Sequence, residues 1–298
     1  MKVLNNMSFK KKQIFWAFVM LSPWLLRLVF ITIGPMASSL YYSFTKYPIL
    51  SAPKWVGFNN YIKMFTDDPL FFKSLWNTLY YTLISVPLNL AVALGIAMLL
   101  NQKIWGVNVF RTIIYVPVMI PVVVSASLFM WIFNSEVGLS SILFNLFGAE
   151  SPIWFRDPNL AKPALIIMNL WYLGRPMAIF LAGLQGIPKQ LYEAADIDGA
   201  GSFRKFRNIV LPIMSPILFF NLIMGVIDSF QVFTPAFIIT KGGPLNSTNF
   251  FMFHLYRQAF SFFKMGYASA LSWILFIIIL VMTLLISRSS RSWVFYQS

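Results

Sequence analysis

Cysteine is absent from this 298-residue chain, histidine occurs once, at His254, and only nine residues are acidic. Without thiols there is no disulfide, no thiolate metal site and no lipid-modified cysteine. A lone histidine, read here as a loop residue, and few carboxylates leave little for an integral-membrane enzyme. Ser, His and Asp fall into no catalytic spacing. Charge is scarce altogether, 11% of residues against roughly 25% in a soluble protein. The net charge of +14 does not point to nucleic acid, because the basic residues are scattered among segments flanking apolar runs, where membrane topology places them.

What is present is apolar: 58% of the residues are hydrophobic, in runs long enough to cross a bilayer. The expected fold is an all-α integral membrane protein with six transmembrane helices, near 14–44, 75–100, 108–134, 161–186, 211–239 and 267–287. Lys10, Lys11 and Lys12 before the first run imitate a signal peptide, but the run continues past Pro35 to Phe44, so an uncleaved helix is expected. The segments 1–13, 101–111, 187–208 and 288–298 are about twice as dense in Lys and Arg as 45–74, 134–162 and 240–266. The positive-inside rule therefore places both termini in the cytoplasm of a multi-pass cell-membrane protein. Trp55, Trp76, Trp105, Trp154 and Trp293 fall near span ends, as interfacial rings do. Pro87, Pro117, Pro121, Pro176 and Pro216 fall within spans, where they permit either ordinary packing or bent helices around a substrate path.

Between the fourth and fifth spans lies a charged island, with Glu193, Asp196 and Asp198 beside Arg204, Lys205 and Arg207. Pro188 suits the start of a short helix over Lys189–Ile197, and Gly199 and Gly201 can end it and turn the chain. Ser202 is the expected N-cap of a second helix, Phe203–Val210, broken at Leu211-Pro212. The result is a helix–turn–helix on the cytoplasmic side, built to dock a partner.

Glu193-Ala194-Ala195, then Gly199, then Ile209-Val210-Leu211-Pro212 resemble the hallmark of permease subunits of binding-protein-dependent ABC importers. The likeness extends to Leu181–Pro188, Thr240–Pro244 and Gly266–Ala270, which look like the MalF/UgpA-type carbohydrate permeases. It implies a type I importer permease of MetI-like fold. Residues 1–70 would be an N-terminal segment, first helix and first external loop. Residues 71–288 would form the transmembrane domain with its coupling loop at 187–210, and 289–298 a cytoplasmic tail. By the same resemblance Glu193, Ala194, Ala195, Asp198 and Gly199 would contact an ATPase. The implied partners are a second homologous permease, two ATPase subunits, an extracytoplasmic solute-binding protein and membrane lipid. No Gly-x-x-x-x-Gly-Lys-Ser/Thr occurs in the chain, so it should bind no cofactor of its own, with ATP and Mg held by the partner ATPase. It is not expected to be an enzyme.

Charged groups within spans call for a reason. Arg27 suits bridging or snorkelling. Asp228, Gln231 and Thr234 follow a three-residue step that would place them on one helix face, with Asn221 deeper. With Arg175 they are candidates for the substrate path, or else for polar contacts between helices, an Arg175–Asp228 ion pair among them. An Arg175 left unpaired would favour an acidic oligosaccharide. Glycerol-phosphate or another small polar solute is the alternative cargo. A secondary transporter is the remote alternative, disfavoured because no inverted repeat is apparent. Gly242-Gly243-Pro244 reads as a turn, and Asn246-Ser247-Thr248 as a chance glycosylation pattern.

Overall fold

Prolines punctuate the helices of this protein, some carried within an unbroken span and one standing at its sharpest bend. The computed structural model describes residues 9–102 and 105–295. Residues 1–8 of the expected amino-terminal segment, 103–104 of the expected basic segment and 296–298 of the expected tail lie outside the described residues. The chain divides into two compact units, one comprising the chain through Asp67 with Gln258–Trp273, the other Asp68–Arg257 with Ile274–Ser298.

In the first unit, α1 (Phe9–Arg27) passes through a π-helical turn, Leu28–Ile33, into α2 (Gly34–Ser43). Together they form a 35-residue apolar span. The wide turn directly precedes Pro35, whose ring would meet a carbonyl of the preceding turn in a regular α-helix. Arg27 is exposed at the end of α1. A two-residue strand β1 (Thr45–Lys46) pairs antiparallel with β2 (Lys54–Trp55), a small departure from the all-helical expectation. Asn60, on α3 (Asn59–Thr66), fixes this corner by donating its amide to the Ser43 and Thr45 carbonyls at 2.8 and 2.9 Å.

The second unit begins with α4 (Pro69–Leu100), 32 residues long and several residues earlier in its start than the sequence suggested. Pro69 needs no N–H in the first turn, and Asp68 Oδ1 accepts from Leu70 N–H at 2.9 Å. The expected third span is not one straight helix. It is α5 (Val107–Met119) and α6 (Val122–Ile132), bent by 105° at Ile120-Pro121, because a residue before proline is driven out of the helical region and Ile120 is extended. After α7 (Leu139–Leu146), the fourth span is likewise a pair. Here α8 (Ala161–Asn169) and the 3₁₀ turn Leu170–Tyr172 meet α9 (Gly174–Gln185) at 47°.

The short helices α10 (Lys189–Ile197) and α11 (Ser202–Lys205) follow. The expected break at Leu211-Pro212 does not occur. A π-helical segment, Phe206–Val210, absorbs the proline and runs on into α12 (Leu211–Phe230), one span from Ser202 to Phe230. The expected fifth span also stops short of 239, at Phe230. Beyond a break at Gln231–Phe233 the chain resumes as a separate π-helical turn, Ala236–Thr240. His254 is not a loop residue: it is buried within α13 (Phe251–Tyr256). The last span is α14 (Met265–Ser290). Four helices are long and apolar enough to cross a membrane, and with each bent pair counted as one span the candidates number six, as expected. The core of the second unit packs Phe180 and Met214 against Ala93 and Ala97 of α4, all buried. The two alanines let neighbouring helices approach closely, as small residues do in membranes.

Candidate functional site

Both bends open onto one cavity. It measures about 750 Å³ and is walled by Ile120 and Pro121 at the first bend, Tyr172 and Arg175 at the second, Asn89 of α4, and the C-terminal half of α12. Gly174 sets the second bend against the first. A Cβ there would lie 2.5 Å from the Ile114 carbonyl oxygen and 3.0 Å from the Tyr115 Cα, so only glycine lets α9 start this close to α5. At the same point Leu173 N–H closes a tight turn on the Leu170 carbonyl, and the Asn169 carbonyl accepts from Asn89 Nδ2 at 3.3 Å. The bend is thus supplied with a polar partner from the adjacent helix. Opposite, Ser229 Oγ donates to Thr82 Oγ1 at 2.9 Å and pins the end of α12 to α4.

The structure brings Arg175, Asn221, Asp228 and Thr234 together around this cavity and leaves Gln231 off its wall. The three-residue step from Asp228 through Gln231 to Thr234 does not form one helix face, because α12 ends at Phe230; Gln231 Nε2 instead reaches back to the Ile227 carbonyl at 3.2 Å. Asn221 is buried and donates to the Ile217 carbonyl at 2.9 Å. Arg175 and Asp228 are both accessible from the cavity. Among the described residues they form no ion pair within 4.0 Å. Sequence reasoning missed Asn89, Asn169 and Tyr172, whose buried hydroxyl has no hydrogen-bond partner among the described residues. Polar residues inside apolar runs were the available signal.

The charged island forms the second candidate element. Helix α10 spans Lys189–Ile197, as expected, and closes with two bonds, Ala200 N–H to the Ala195 carbonyl at 2.8 Å and Gly199 N–H to the Asp196 carbonyl at 3.1 Å. This pair of bonds is a Schellman closure, which needs a left-handed residue after the helix. Gly199 supplies it with φ +68°. Glu193, Ala194, Asp198 and Gly199 are exposed and Ala195 is half-buried, so the motif presents its surface to solvent. Beside it Ile197 and Phe203 are 87% and 74% exposed, apolar side chains that a solvated loop alone does not require. Ser202 does not cap the next helix with its side chain; Gly201 occupies the N-cap. Two supports went unread in the sequence. The Lys205 ammonium contacts the Asp196 carboxylate across the turn. Tyr192 packs against the core of the second unit, and burial pushes its phenol above the ordinary value.

The chain is similar to known proteins in sequence and in fold. The family described as binding-protein-dependent transport system inner membrane component matches residues 90–293. The probable ABC transporter permease protein YesP of Bacillus subtilis (strain 168) is 41% identical over 285 residues, 94% of this chain and 92% of that protein. The sulfoquinovosyl glycerol transport system permease protein SmoG of Agrobacterium fabrum is 36% identical, with 93% and 90% covered. In fold, a chain from the crystal structure of a bacterial ABC transporter that imports the acidic polysaccharide alginate superposes with a TM-score of 0.83 at 21% identity. The match covers 94% of this chain and 96% of that one.

Proposed function

The chain belongs to the family of binding-protein-dependent transport system inner membrane components, and from that premise we propose that it forms half of the membrane pathway of an ATP-driven importer for a sugar or oligosaccharide. The observation that carries this reading is the pairing of a cavity at two broken spans, mostly apolar but studded with polar and charged groups, with an exposed, preorganised helix–turn loop in the same chain. A permease that couples to a separate motor needs both. The cavity's amides and hydroxyls suit a polyhydroxylated solute, which offers many donors and acceptors. The relative SmoG is named for sulfoquinovosyl glycerol transport, which supports a sugar-based cargo.

In this proposal a second homologous permease completes the pathway and an extracytoplasmic solute-binding protein delivers the cargo. Two ATPase subunits hold ATP and Mg, consistent with a sequence that carries no phosphate-cradling Gly-x-x-x-x-Gly-Lys-Ser/Thr loop. The loop 187–210 lies on the cytoplasmic side, with both termini. Glu193, Ala194, Ala195, Asp198 and Gly199 meet the ATPase there, and Ile197 and Phe203 add apolar contact.

The test is ATP hydrolysis by the purified chain alone and by its complex with the second permease and the ATPase pair. Hydrolysis is expected only in the complex. Turnover by the isolated chain, above that of a mock purification, would overturn the assignment.

A further inference from the structure

Two opposite charges face one cavity without neutralising each other. Arg175 lies in the first turn of α9 and Asp228 near the end of α12, and both line the same space. They attract across it, yet no ion pair within 4.0 Å joins them, and neither side chain has a hydrogen bond or another charged partner among the described residues. Their helices hold them apart. The start of α9 is fixed by the backbone approach of Gly174 to Ile114 and Tyr115, and the end of α12 is tied to α4 through Ser229 and Thr82. Unpaired charge is costly within a membrane span and marks a substrate path when it faces a cavity. A structural ion pair would have closed; this one is open.

We propose that the cargo is an anionic saccharide, its carboxylate taken by Arg175 and its ring hydroxyls donating to Asp228; this rests on the saccharide-importer reading and narrows it. The planar guanidinium matches a carboxylate with two parallel hydrogen bonds, a contact that a neutral sugar cannot return. Asp228 supplies the second criterion. A carboxylate accepts from hydroxyls and repels anions, so a small inorganic anion gains Arg175 but meets Asp228 with nothing to donate. A sugar acid satisfies both ends at once, in one orientation. Asn89, Asn169 and Thr234 line the same cavity as neutral donors and acceptors.

The experiment uses the complete complex in lipid nanodiscs and a matched pair of probes: an aldobiouronic acid, one uronate linked to one neutral sugar, and the same disaccharide after reduction of its carboxyl group. Saturation-transfer NMR titrations give the two affinities, and their ratio is the readout, which assembly yield does not alter. The acidic probe should bind the parent complex about tenfold or more tightly than its neutral twin, the size of a charge-assisted contact. Arg175→Gln should bring the ratio close to one, and Arg175→Lys should leave it between the two. Equal binding of the twins, preference for the neutral one, no binding of the acidic one, or an unchanged ratio in Arg175→Gln overturns the inference. With the same complex in proteoliposomes, ATP-driven uptake of the neutral twin alone would sink the anionic cargo and leave the importer reading standing. Uptake of no saccharide by the assembled complex would remove the importer reading itself.

Discussion

Asp68 joins two distant parts of the sequence through a single carboxylate: one oxygen caps α4 at Leu70 N–H, and the other lies 2.8 Å from His254 Nε2. His254 is buried. Burial pushes the imidazole below its ordinary value, and Asp68 pulls the other way without reversing it. The unfolded chain therefore takes up the proton first as pH falls. Stability should be full above about pH 6.5 and decline as pH drops below that value toward the lower folded-state pKa. In detergent, the unfolding temperature should fall between about pH 7.5 and about pH 5.5, and His254→Gln should flatten that slope. An equally steep slope in the variant would assign the pH dependence elsewhere.

Removing the other partner should cost more. Asp68→Ala deletes a helix cap, worth about 1 kcal/mol, and leaves His254 buried without its acceptor, a further penalty of roughly 1–3 kcal/mol. Asp68→Asn keeps an oxygen for the cap and should lie between parent and alanine variant in thermal stability. The order of the three unfolding temperatures checks this.

Gly199 has a left-handed backbone and open space around its missing Cβ. A Cβ there meets nothing within 4 Å among the described residues, but a side chain strains the backbone by about 1–2 kcal/mol, except for asparagine, which tolerates that conformation. Gly199→Asn should retain more uptake than Gly199→Val, and Gly199→Trp should abolish uptake while the protein still reaches the membrane. Normal transport by the tryptophan variant in a complete complex would show that this loop is not the coupling element.

Gly174 is limited by contact rather than by conformation. Gly174→Ala places a methyl group against the Ile114 carbonyl, and overpacking of this kind costs about 1–3 kcal/mol. Thermal unfolding in detergent should show the loss. Cross-linking between cysteines introduced on α5 and α9 should weaken in parallel, since the two bends would separate.

The number of spans was legible because each apolar run exceeds the bilayer thickness whatever its internal geometry. The helix Lys189–Ile197 was legible because Pro188 and Gly199 mark its two ends with local chemistry. Bends were readable only as an option. Pro87 leaves α4 unbroken while Pro121 turns its span by 105°, and that difference depends on neighbours that sequence spacing does not reveal. The three-residue step of Asp228, Gln231 and Thr234 places them on one face only if the fifth span continues to 239. The helix ends at Phe230, and Gln231 turns away from the cavity. Asp68 and His254 lie 186 positions apart, so no local pattern could pair them.

ATP-dependent accumulation of a labelled saccharide in proteoliposomes tests the central claim most directly. The liposomes would carry this chain, the second permease and the ATPase pair, with the solute-binding protein supplied on the opposite side from ATP. Accumulation is expected with active ATPase subunits and should vanish when their phosphate-loop lysine is replaced. Uptake by liposomes bearing this chain alone, or accumulation driven by an ion gradient without ATP, would contradict the account.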